Sequence, residues 1–222
     1  MADSAIILAG GLSKRYGKNK ILEKFRDKTL LDYNIDFCIR NNIGKIIVVY
    51  YDEQVFTYLK GRYIREVEND IIILIKRPQS PEGTGMSLLT GARCAGGRFI
   101  VLFGDNYYRG ILNDNSMDNI ATYVVKEENE QNKRFAAIVD NKIIEKPHKF
   151  TSGAFFAGYM ILNKDDVLEQ PVLLSDRGEV EITDIFNRCE KKNIKQLDIV
   201  WEEITYGEDY YKMLEFIEAT DR

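Results

Sequence analysis

Residues 8–20 combine glycine with positive charge directly after a short apolar run. The stretch is LAGGLSKRYGKNK, with Gly10 and Gly11 at the turn and basic side chains behind them. Glycine leaves no Cβ between its backbone N–H and a ligand, and Arg15 and Lys20 could neutralise phosphate charge. The spacing of the glycines fits neither the P-loop nor the dinucleotide-binding fingerprint. The stretch is a candidate polyphosphate loop of another type, with a flexible surface turn as the alternative.

A second candidate is the turn Gly104-Asp105-Asn106, which follows the apolar run 99–103. Mg²⁺ prefers one or two carboxylates together with phosphate oxygens, so Asp105 is a candidate ligand for this ion. Gly-Asp-Asn is also ordinary turn sequence. A polyphosphate loop on a neighbouring strand strengthens the metal interpretation, because ligands bind at the carboxyl ends of parallel strands.

A third candidate is Glu145-Lys146-Pro147, which follows an apolar pair and precedes the glycine-bearing run 152–159. A carboxylate beside an ammonium at a strand end can accept hydrogen bonds from sugar hydroxyls while donating to a phosphate. The alternative is an exposed charge pair that closes a strand.

Alternating apolar runs and helical patterns must position these residues. Strands are predicted at 4–8, 45–51, 71–75 and 99–103, with helices near 30–40 and 86–94 between them. This alternation predicts an α/β fold, a Rossmann-like three-layer α/β/α sandwich with a mainly parallel mixed sheet.

After Asp105 the pattern changes to short strand candidates at 120–125, 135–139, 142–144 and 155–161. We expect mixed or antiparallel additions to the same sheet. Helices at about 181–192 and 208–219 flank a predicted strand at 194–201. The chain has 222 residues and no evident linker, so one domain over 1–222 is expected.

Composition excludes several classes of protein. The net charge is -4 and no basic block stands out, so nucleic acid is not an expected partner. Neither a signal peptide nor an apolar stretch of membrane-spanning length is present in the sequence, which predicts a cytoplasmic protein without membrane contact. Three scattered cysteines and one histidine fit neither a disulfide scaffold nor a zinc site.

Six ordered motifs resemble the sugar-1-phosphate nucleotidyltransferases, most closely the glucose-1-phosphate thymidylyltransferase branch. They are LAGGLSKRYGKNK, PQSPEGTG, FGDNYYRG, IIEKP, SGAFFAGYMI and RGEVEITDIFN. The resemblance implies the nucleotide-diphospho-sugar transferase type of fold and a Mg²⁺ cofactor. It also implies transfer of a nucleotidyl group from an NTP to a sugar 1-phosphate with release of pyrophosphate, with dTTP or UTP favoured and CTP possible.

The resemblance assigns roles to individual residues. It implies catalytic roles for Arg15, Lys20, Asp105 and Lys146, and Mg²⁺ ligation by Asp105 and Glu203. The nucleotide and sugar contacts that it implies are Leu8, Ala9, Gly10, Gly11, Gln79, Gly83, Glu145 and Gly158.

Three positions depart from the pattern of this family. Gln79 is shifted by one position relative to the family's base-contacting glutamine, Glu203 replaces an aspartate, and Ala136 replaces a glycine before Glu-Lys-Pro. The chain also ends soon after Glu203, so the resemblance leaves open whether the protein forms a homo-oligomer.

Two alternatives follow from these departures. One is a CTP-dependent cytidylyltransferase acting on phosphocholine or another small alcohol phosphate. A quaternary ammonium would need an aromatic cage, for which Tyr107, Tyr108, Phe155, Phe156 and Tyr159 are available, although core packing is the simpler role for them. The other is a catalytically silent nucleotide-binding regulatory module, in which Asp105 and Glu203 would not converge on one cation.

Overall fold

The computed structural model describes residues 2–11, 13, 15–80, 82–111, 116–145 and 149–220. Its strands are β1 Ser4–Ala9, β2 Lys24–Phe25, β3 Lys28–Thr29, β4 Lys45–Tyr50, β5 Ile72–Lys76, β6 Arg98–Phe103, β7 Asn106–Arg109, β8 Asn119–Lys126, β9 Ala137–Val139, β10 Lys142–Ile144, β11 Gly153–Asn163, β12 Lys192–Gln196 and β13 Val200–Glu203. Its α-helices are α1 Leu30–Arg40, α2 Glu53–Arg62, α3 Ile64–Glu68, α4 Thr84–Ala92, α5 Lys164–Leu168, α6 Ile182–Arg188 and α7 Asp209–Thr220, with 3₁₀ turns at Lys20–Leu22 and Glu130–Arg134.

The central sheet is parallel in its first half and mixed in its second, as the sequence predicts. Strand β1 lies between β4 and β6, and β5 pairs with β4, all in parallel. Strand β11 runs antiparallel to β6 and β8, while β12 is parallel to β8. The chain moves from β1 to β4 and β5 on one side and then returns to β6 on the other. This reversal at β1 is the place where open α/β sheets bind ligands.

Two apolar layers cover the sheet and confirm the three-layer α/β/α fold. Along β1, Ala5, Ile7 and Ala9 join a core cluster with α1, while Ile6 and Leu8 join a second cluster with α4 on the opposite face. Successive side chains of a strand point to opposite faces of the sheet, so a strand that is covered on both faces contributes to the two clusters in turn. No helix among the described residues combines the length and apolar character that a membrane crossing requires.

A capping box begins α1, and its Asp32 carboxylate also connects the helix to α2 and to the residue that joins α2 to α3. Asp32 Oδ2 accepts a hydrogen bond from the Thr29 N–H at 2.9 Å, and Thr29 Oγ1 accepts one from the Asp32 N–H at 3.1 Å. The buried Asp32 carboxylate also accepts hydrogen bonds from the Tyr58 and Tyr63 hydroxyls at 2.6 and 2.8 Å. Burial alone would raise the pKa of Asp32, but these hydrogen bonds outweigh it and the pKa is lowered.

The structure corrects two elements near the end of the chain. The predicted helix 181–192 ends at Arg188, and the predicted strand 194–201 is divided into β12 and β13. After β12 pairs with β8, the chain leaves the central sheet, and β13 pairs with β7 in a separate two-stranded sheet. A continuous apolar pattern therefore spans two strands with different partners.

Candidate active site

A cleft of about 400 Å³ opens at the carboxyl ends of β1 and β6. The first strand and the loop behind it contribute one wall, and the segment between β5 and α4 contributes another. The lining residues are Leu8, Gly10, Gly11, Ser13, Arg15, Lys20, Ile21, Arg77, Glu82, Gly83, Thr84, Ser87, Phe103, Asp105, Glu179 and Thr205. Its position agrees with the predicted meeting of the glycine-rich loop and the Gly-Asp-Asn turn.

Lys20 and Asp105 meet inside this cleft. The Lys20 ammonium lies 2.5 Å from Asp105 Oδ2 and donates to the carbonyl oxygen of Ile204 at 2.9 Å. The Lys20 N–H donates to Ser13 Oγ at 3.3 Å, which fixes the backbone as well. Both charged side chains are mostly buried, with 13% of Lys20 and 26% of Asp105 exposed. A ligand in the cleft therefore meets a positioned cation beside a positioned carboxylate.

Glu203 stands next to this pair through strand pairing. Residue Glu203 of β13 is opposite Asn106 of β7, and the Ile204 N–H donates to the carbonyl oxygen of Asp105 at 3.1 Å. The Thr205 hydroxyl donates to Glu203 Oε1 at 2.6 Å. Burial and then the negative charge of Asp105 raise the pKa of Glu203, against the opposing effects of Thr205 and Lys20. The two carboxylates are close enough to repel each other.

Two adjacent carboxylates of this kind fit a hard divalent cation. Mg²⁺ binds proteins through one or two carboxylates and takes its other ligands from water and substrate phosphates. Among the residues that the structure describes, no group of three or more His, Cys, Asp or Glu side chains could hold a metal ion. Asp105 and Glu203 are therefore a partial coordination set that phosphate oxygens in the cleft could complete.

Asn106 supports Asp105 from behind. In the amide orientation that gives both polar atoms a hydrogen-bond partner, the Asn106 oxygen accepts from the Trp201 indole N–H at 3.0 Å. The Asn106 nitrogen donates to Asp105 Oδ1 at 3.3 Å. Trp201 is thus a packed anchor that links β13 to the carboxylate turn.

Gly83 closes the cleft wall by direct contact with the segment before α6. A Cβ at this position would lie 2.3 Å from the carbonyl oxygen of Val180, and its φ of 114° is one that side chains rarely adopt. The Gly85 N–H donates to the same Val180 oxygen at 2.7 Å, and the Val180 N–H donates to the backbone carbonyl oxygen of Glu82 at 2.9 Å. Glycine is required here because two backbone segments touch.

A cluster of carboxylates around Arg177 lies beside the cleft and includes Glu145. The Thr183 hydroxyl donates to Glu145 Oε1 at 3.0 Å, and Arg177 lies 2.5 Å from Glu181 and 3.7 Å from Glu179, which lines the cleft. Burial, and after it the charge of Glu145, raises the pKa of Glu181. Polar side chains of this kind suit a ligand rich in hydroxyl groups.

The structure brings together seven of the predicted site residues on the cleft wall. These are Leu8, Gly10, Gly11, Arg15, Lys20, Gly83 and Asp105. Ala9 is buried within β1, and Gln79 is exposed outside the lining. Lys146 lies outside the described residues, together with Pro147 and His148.

Gly158 lies away from the lining, within an irregular part of β11. Its φ is 65°, and a Cβ there would lie 2.5 Å from the Asn106 side-chain amide. This glycine therefore lets β11 approach the support of Asp105. The aromatic residues considered for a choline cage, Tyr107, Tyr108, Phe155, Phe156 and Tyr159, are all buried in the core.

Sequence reasoning missed Arg77 and Ser87, which are both buried in the cleft wall. Arg77 follows β5, the third parallel strand, so the same argument about carboxyl ends of strands could have found it. Its neighbours Lys76 and Pro78 instead suggested that Arg77 lies in a surface turn. Ser87 carried no signal, because it lies inside the helical pattern of α4.

Comparison with known families agrees with this architecture. A family model described as the MobA-like NTP transferase domain matches residues 5–138, which run from β1 into β9. The chain belongs to this family. The match of the MobA-like domain contains Lys20, Arg77 and Asp105, while Glu145 and Glu203 follow it along the chain.

Curated relatives of this MobA-like protein are longer. The bifunctional protein GlmU of Methanococcus maripaludis is 30% identical over 203 residues, which cover 83% of this chain and 46% of that protein. A bifunctional sugar-1-phosphate nucleotidylyltransferase/acetyltransferase of Sulfurisphaera tokodaii is 26% identical over 202 residues, covering 84% and 48%. The chain spans about half the length of the curated relatives it matches.

Solved structures share the fold. A UDP-glucose pyrophosphorylase complexed with UDP-glucose has a TM-score of 0.77 at 17% identity and covers 100% of both chains. An inositol-1-phosphate CTP transferase from T. maritima has a TM-score of 0.75 at 14% identity, covering 98% of this chain and 95% of that one. The predicted nucleotidyltransferase fold is therefore confirmed, while the particular likeness to thymidylyltransferases stays a prediction.

Proposed function

We propose that the chain acts as a single Mg²⁺-dependent domain over residues 1–222 that transfers a nucleotidyl group from an NTP to a sugar 1-phosphate. The observation that carries this proposal is the ion pair of Lys20 and Asp105 in the cleft beside Gly10 and Gly11, with Glu203 on the adjoining strand. The name of the Sulfurisphaera tokodaii relative supports sugar 1-phosphates as acceptors. The sequence motifs favour dTTP or UTP as donor, with CTP possible.

The reaction needs no protein nucleophile. An oxygen of the sugar phosphate attacks the α-phosphorus in line, and the bond from that phosphorus to the oxygen bridging to the β-phosphate breaks. Pyrophosphate carries the leaving electrons. The protein contributes positioning and charge neutralisation, which supply most of the rate in phosphoryl transfer.

Backbone and basic groups would hold the triphosphate. Gly10 and Gly11 line the cleft at the end of β1, where backbone N–H groups can approach phosphate oxygens. Arg15 is exposed at the cleft, so it can meet the incoming triphosphate. The Lys20 ammonium, tethered by Ile204, would stabilise the charge that develops at the α-phosphate.

Asp105 and Glu203 would hold Mg²⁺. When bound there, the ion supplies positive charge that neutralises phosphate oxygens without proton transfer. The proximity of the two carboxylates supports this role, because a bound cation would relieve their mutual repulsion. The same proximity argues against the silent regulatory module, whose carboxylates would fail to converge.

The cluster around Arg177 supports a polyhydroxylated acceptor. Glu145 and Glu179 can accept hydrogen bonds from sugar hydroxyls. Lys146 would bind the sugar phosphate, and Gly158 would contribute to the acceptor site through the packing of β11. The phosphocholine alternative loses support, because the aromatic residues considered for its cage are in the core.

Pyrophosphate release tests the proposal. Four or five NTPs would be combined with several hexose 1-phosphates and with phosphocholine in the presence of Mg²⁺, using wild type, Asp105→Asn and Asp70→Asn. Asp70 is exposed, and asparagine tolerates its φ of 56°, so this variant is a matched control. We expect release with a hexose 1-phosphate that Asp105→Asn abolishes and Asp70→Asn retains. Pyrophosphate release with phosphocholine but with none of the hexose 1-phosphates would reject the proposed sugar nucleotidyltransferase activity. Nucleotide binding without any pyrophosphate release would reject it as well.

A further inference from the structure

Arg77 is a buried arginine that faces the nucleotide cleft. Its exposed fraction is 5%, and it lines the cleft directly after β5. Its N–H donates to the carbonyl oxygen of Tyr50 at 2.7 Å, so the parallel strand pairing fixes its backbone. Its guanidinium carbon lies 4.9 Å from the centre of the Tyr51 ring. The side chain is therefore held in place by a strand and a ring.

The guanidinium retains donors without acceptors. Arg77 Nε and Nη1 are buried and have no hydrogen-bond partner among the described residues. Burying a charged donor without an acceptor is costly, and such a group is rare unless a ligand completes it.

Gly10 lies against the Arg77 side chain. A Cβ on Gly10 would lie 3.2 Å from Arg77 Nε and 3.1 Å from Ser87 Oγ. Glycine therefore leaves the guanidinium close to the backbone at the start of the nucleotide loop.

Arg77 and the Lys20–Asp105 pair lie on different sides of β1. Asp105 follows β6, whereas Arg77 follows β5, and the order of strands is β6, β1, β4, β5. Lys20 meets Asp105 on the β6 side. A nucleotide with its α-phosphate at Lys20 can thus extend its base towards the β5 side.

We propose that Arg77 selects the base of the NTP and favours one that presents two adjacent hydrogen-bond acceptors, cytosine or guanine. This inference rests on the proposed nucleotidyltransferase function. A guanidinium offers only donors. Cytosine presents two adjacent acceptors, N3 and O2, and guanine presents O6 beside N7. Uracil and thymine instead place the N3–H donor between their two carbonyl acceptors. Adenine places its amino donor beside the acceptors N7 and N1. This places CTP or GTP ahead of the dTTP or UTP that the motifs favour.

The test measures nucleotide binding separately from transfer. Dissociation constants for CTP, GTP, UTP, dTTP and ATP would be measured calorimetrically without acceptor, for wild type, Arg77→Met and Arg77→Lys. Methionine keeps much of the side-chain length but has no donor, and lysine retains the charge without the planar fork. Arg65→Gln, on the exposed side of α3, is the control.

We expect wild type to bind CTP or GTP about 10-fold or more tightly than the other three nucleotides. Arg77→Met should reduce this preference to about twofold, Arg77→Lys should leave an intermediate preference, and Arg65→Gln should keep it unchanged. If Arg77→Met fails to fold, the comparison of wild type with Arg77→Lys decides. Comparing the dissociation constants of CTP and GTP identifies which of the two bases is preferred.

Three results would overturn the inference: preferential binding of UTP, dTTP or ATP by wild type, an equal loss for all five nucleotides in the variants, or an unchanged preference. An equal loss would assign Arg77 to the phosphates. Selective binding without pyrophosphate release would leave base selection standing while rejecting the proposed transfer, so the two failures are distinguishable.

Discussion

Lys20 and Asp105, which lie far apart in the chain, form an ion pair of 2.5 Å in the cleft. The carbonyl of Ile204 receives a second hydrogen bond from the same ammonium, so three distant segments converge on one nitrogen. An ammonium held in this way needs little reorganisation when charge develops next to it, which is the condition for electrostatic stabilisation of a transition state.

Replacing Lys20 by methionine should lower kcat about 100-fold or more, because one preorganised donor is lost next to the reacting phosphate. Steady-state kinetics with the best NTP and acceptor would measure it. Lys24→Met, with its exposed side chain in β2, is the matched control and should keep the wild-type kcat. Equal kcat values for the two variants would place Lys20 outside the reaction.

Glu203→Gln should raise the Mg²⁺ concentration needed for half-maximal rate about 10-fold, because a neutral amide is a weaker ligand than a carboxylate. Titration of the rate with Mg²⁺ at saturating substrates gives this number. Glu208→Gln, on an exposed residue, serves as the comparison. A Mg²⁺ dependence identical to that of wild type would show that the ion binds without Glu203.

Gly83→Ala should destabilise the fold and weaken nucleotide binding together. The added Cβ would meet the Val180 backbone at 2.3 Å, on top of the strain of a positive φ. We expect a loss of unfolding free energy well above the roughly 1–2 kcal/mol that left-handed strain alone costs. Urea unfolding would measure it.

Gly153→Ala separates the two contributions to this effect. Gly153 has a φ of 112°, close to the 114° of Gly83, but a Cβ there meets nothing within 4 Å. It should therefore show the cost of strain alone. If both variants lost the same free energy, the contact between Gly83 and Val180 would be unimportant.

Asp32→Asn should lower the free energy of unfolding by about 2–3 kcal/mol at pH 6, because a capping box and hydrogen bonds to a charged group are weakened together. The folded pKa of Asp32 is below its unfolded value of about 3.9. Its contribution is therefore fully present above that unfolded pKa and is lost as the pH falls through the folded one.

Urea denaturation of wild type and Asp32→Asn between pH 6 and pH 3 would show the two stabilities approaching each other at the acid end. Asp36→Asn is the control on the same helix, since Asp36 pairs with Lys28 at 2.6 Å in a partly exposed position. It should cost about 1 kcal/mol or less. A difference for Asp32→Asn that does not change with pH would contradict the role of its ionised form.

The parallel half of the fold could be predicted from sequence because its signals are local. The apolar run of β1 is buried along its whole length, and the glycines behind it mark the strand end. The site residues at the ends of β1 and β6 followed from the same rule. The position of Arg77 at the end of β5 follows from this rule too, but its burial does not, since it depends on Tyr51 and on the missing side chain of Gly10.

The division of the predicted strand 194–201 also depends on distant partners. Trp201 pairs with Tyr108 of β7, while Ile194 pairs with Ala121 of β8. Both residues look like members of one apolar run, because the alternation of side chains does not record which neighbour a strand selects. The position of Glu203 beside Asp105 follows from that choice of partner, and no local pattern contains it.

The pairing of β7 with β13 also sets the order in which the cleft can be completed during synthesis. Lys20 and Asp105 leave the ribosome before the carbonyl of Ile204, which holds the Lys20 ammonium. A nascent chain that has emerged only as far as α4 and β6 can already pair its four parallel strands. The Lys20 ammonium then lacks the Ile204 carbonyl until β13 has emerged.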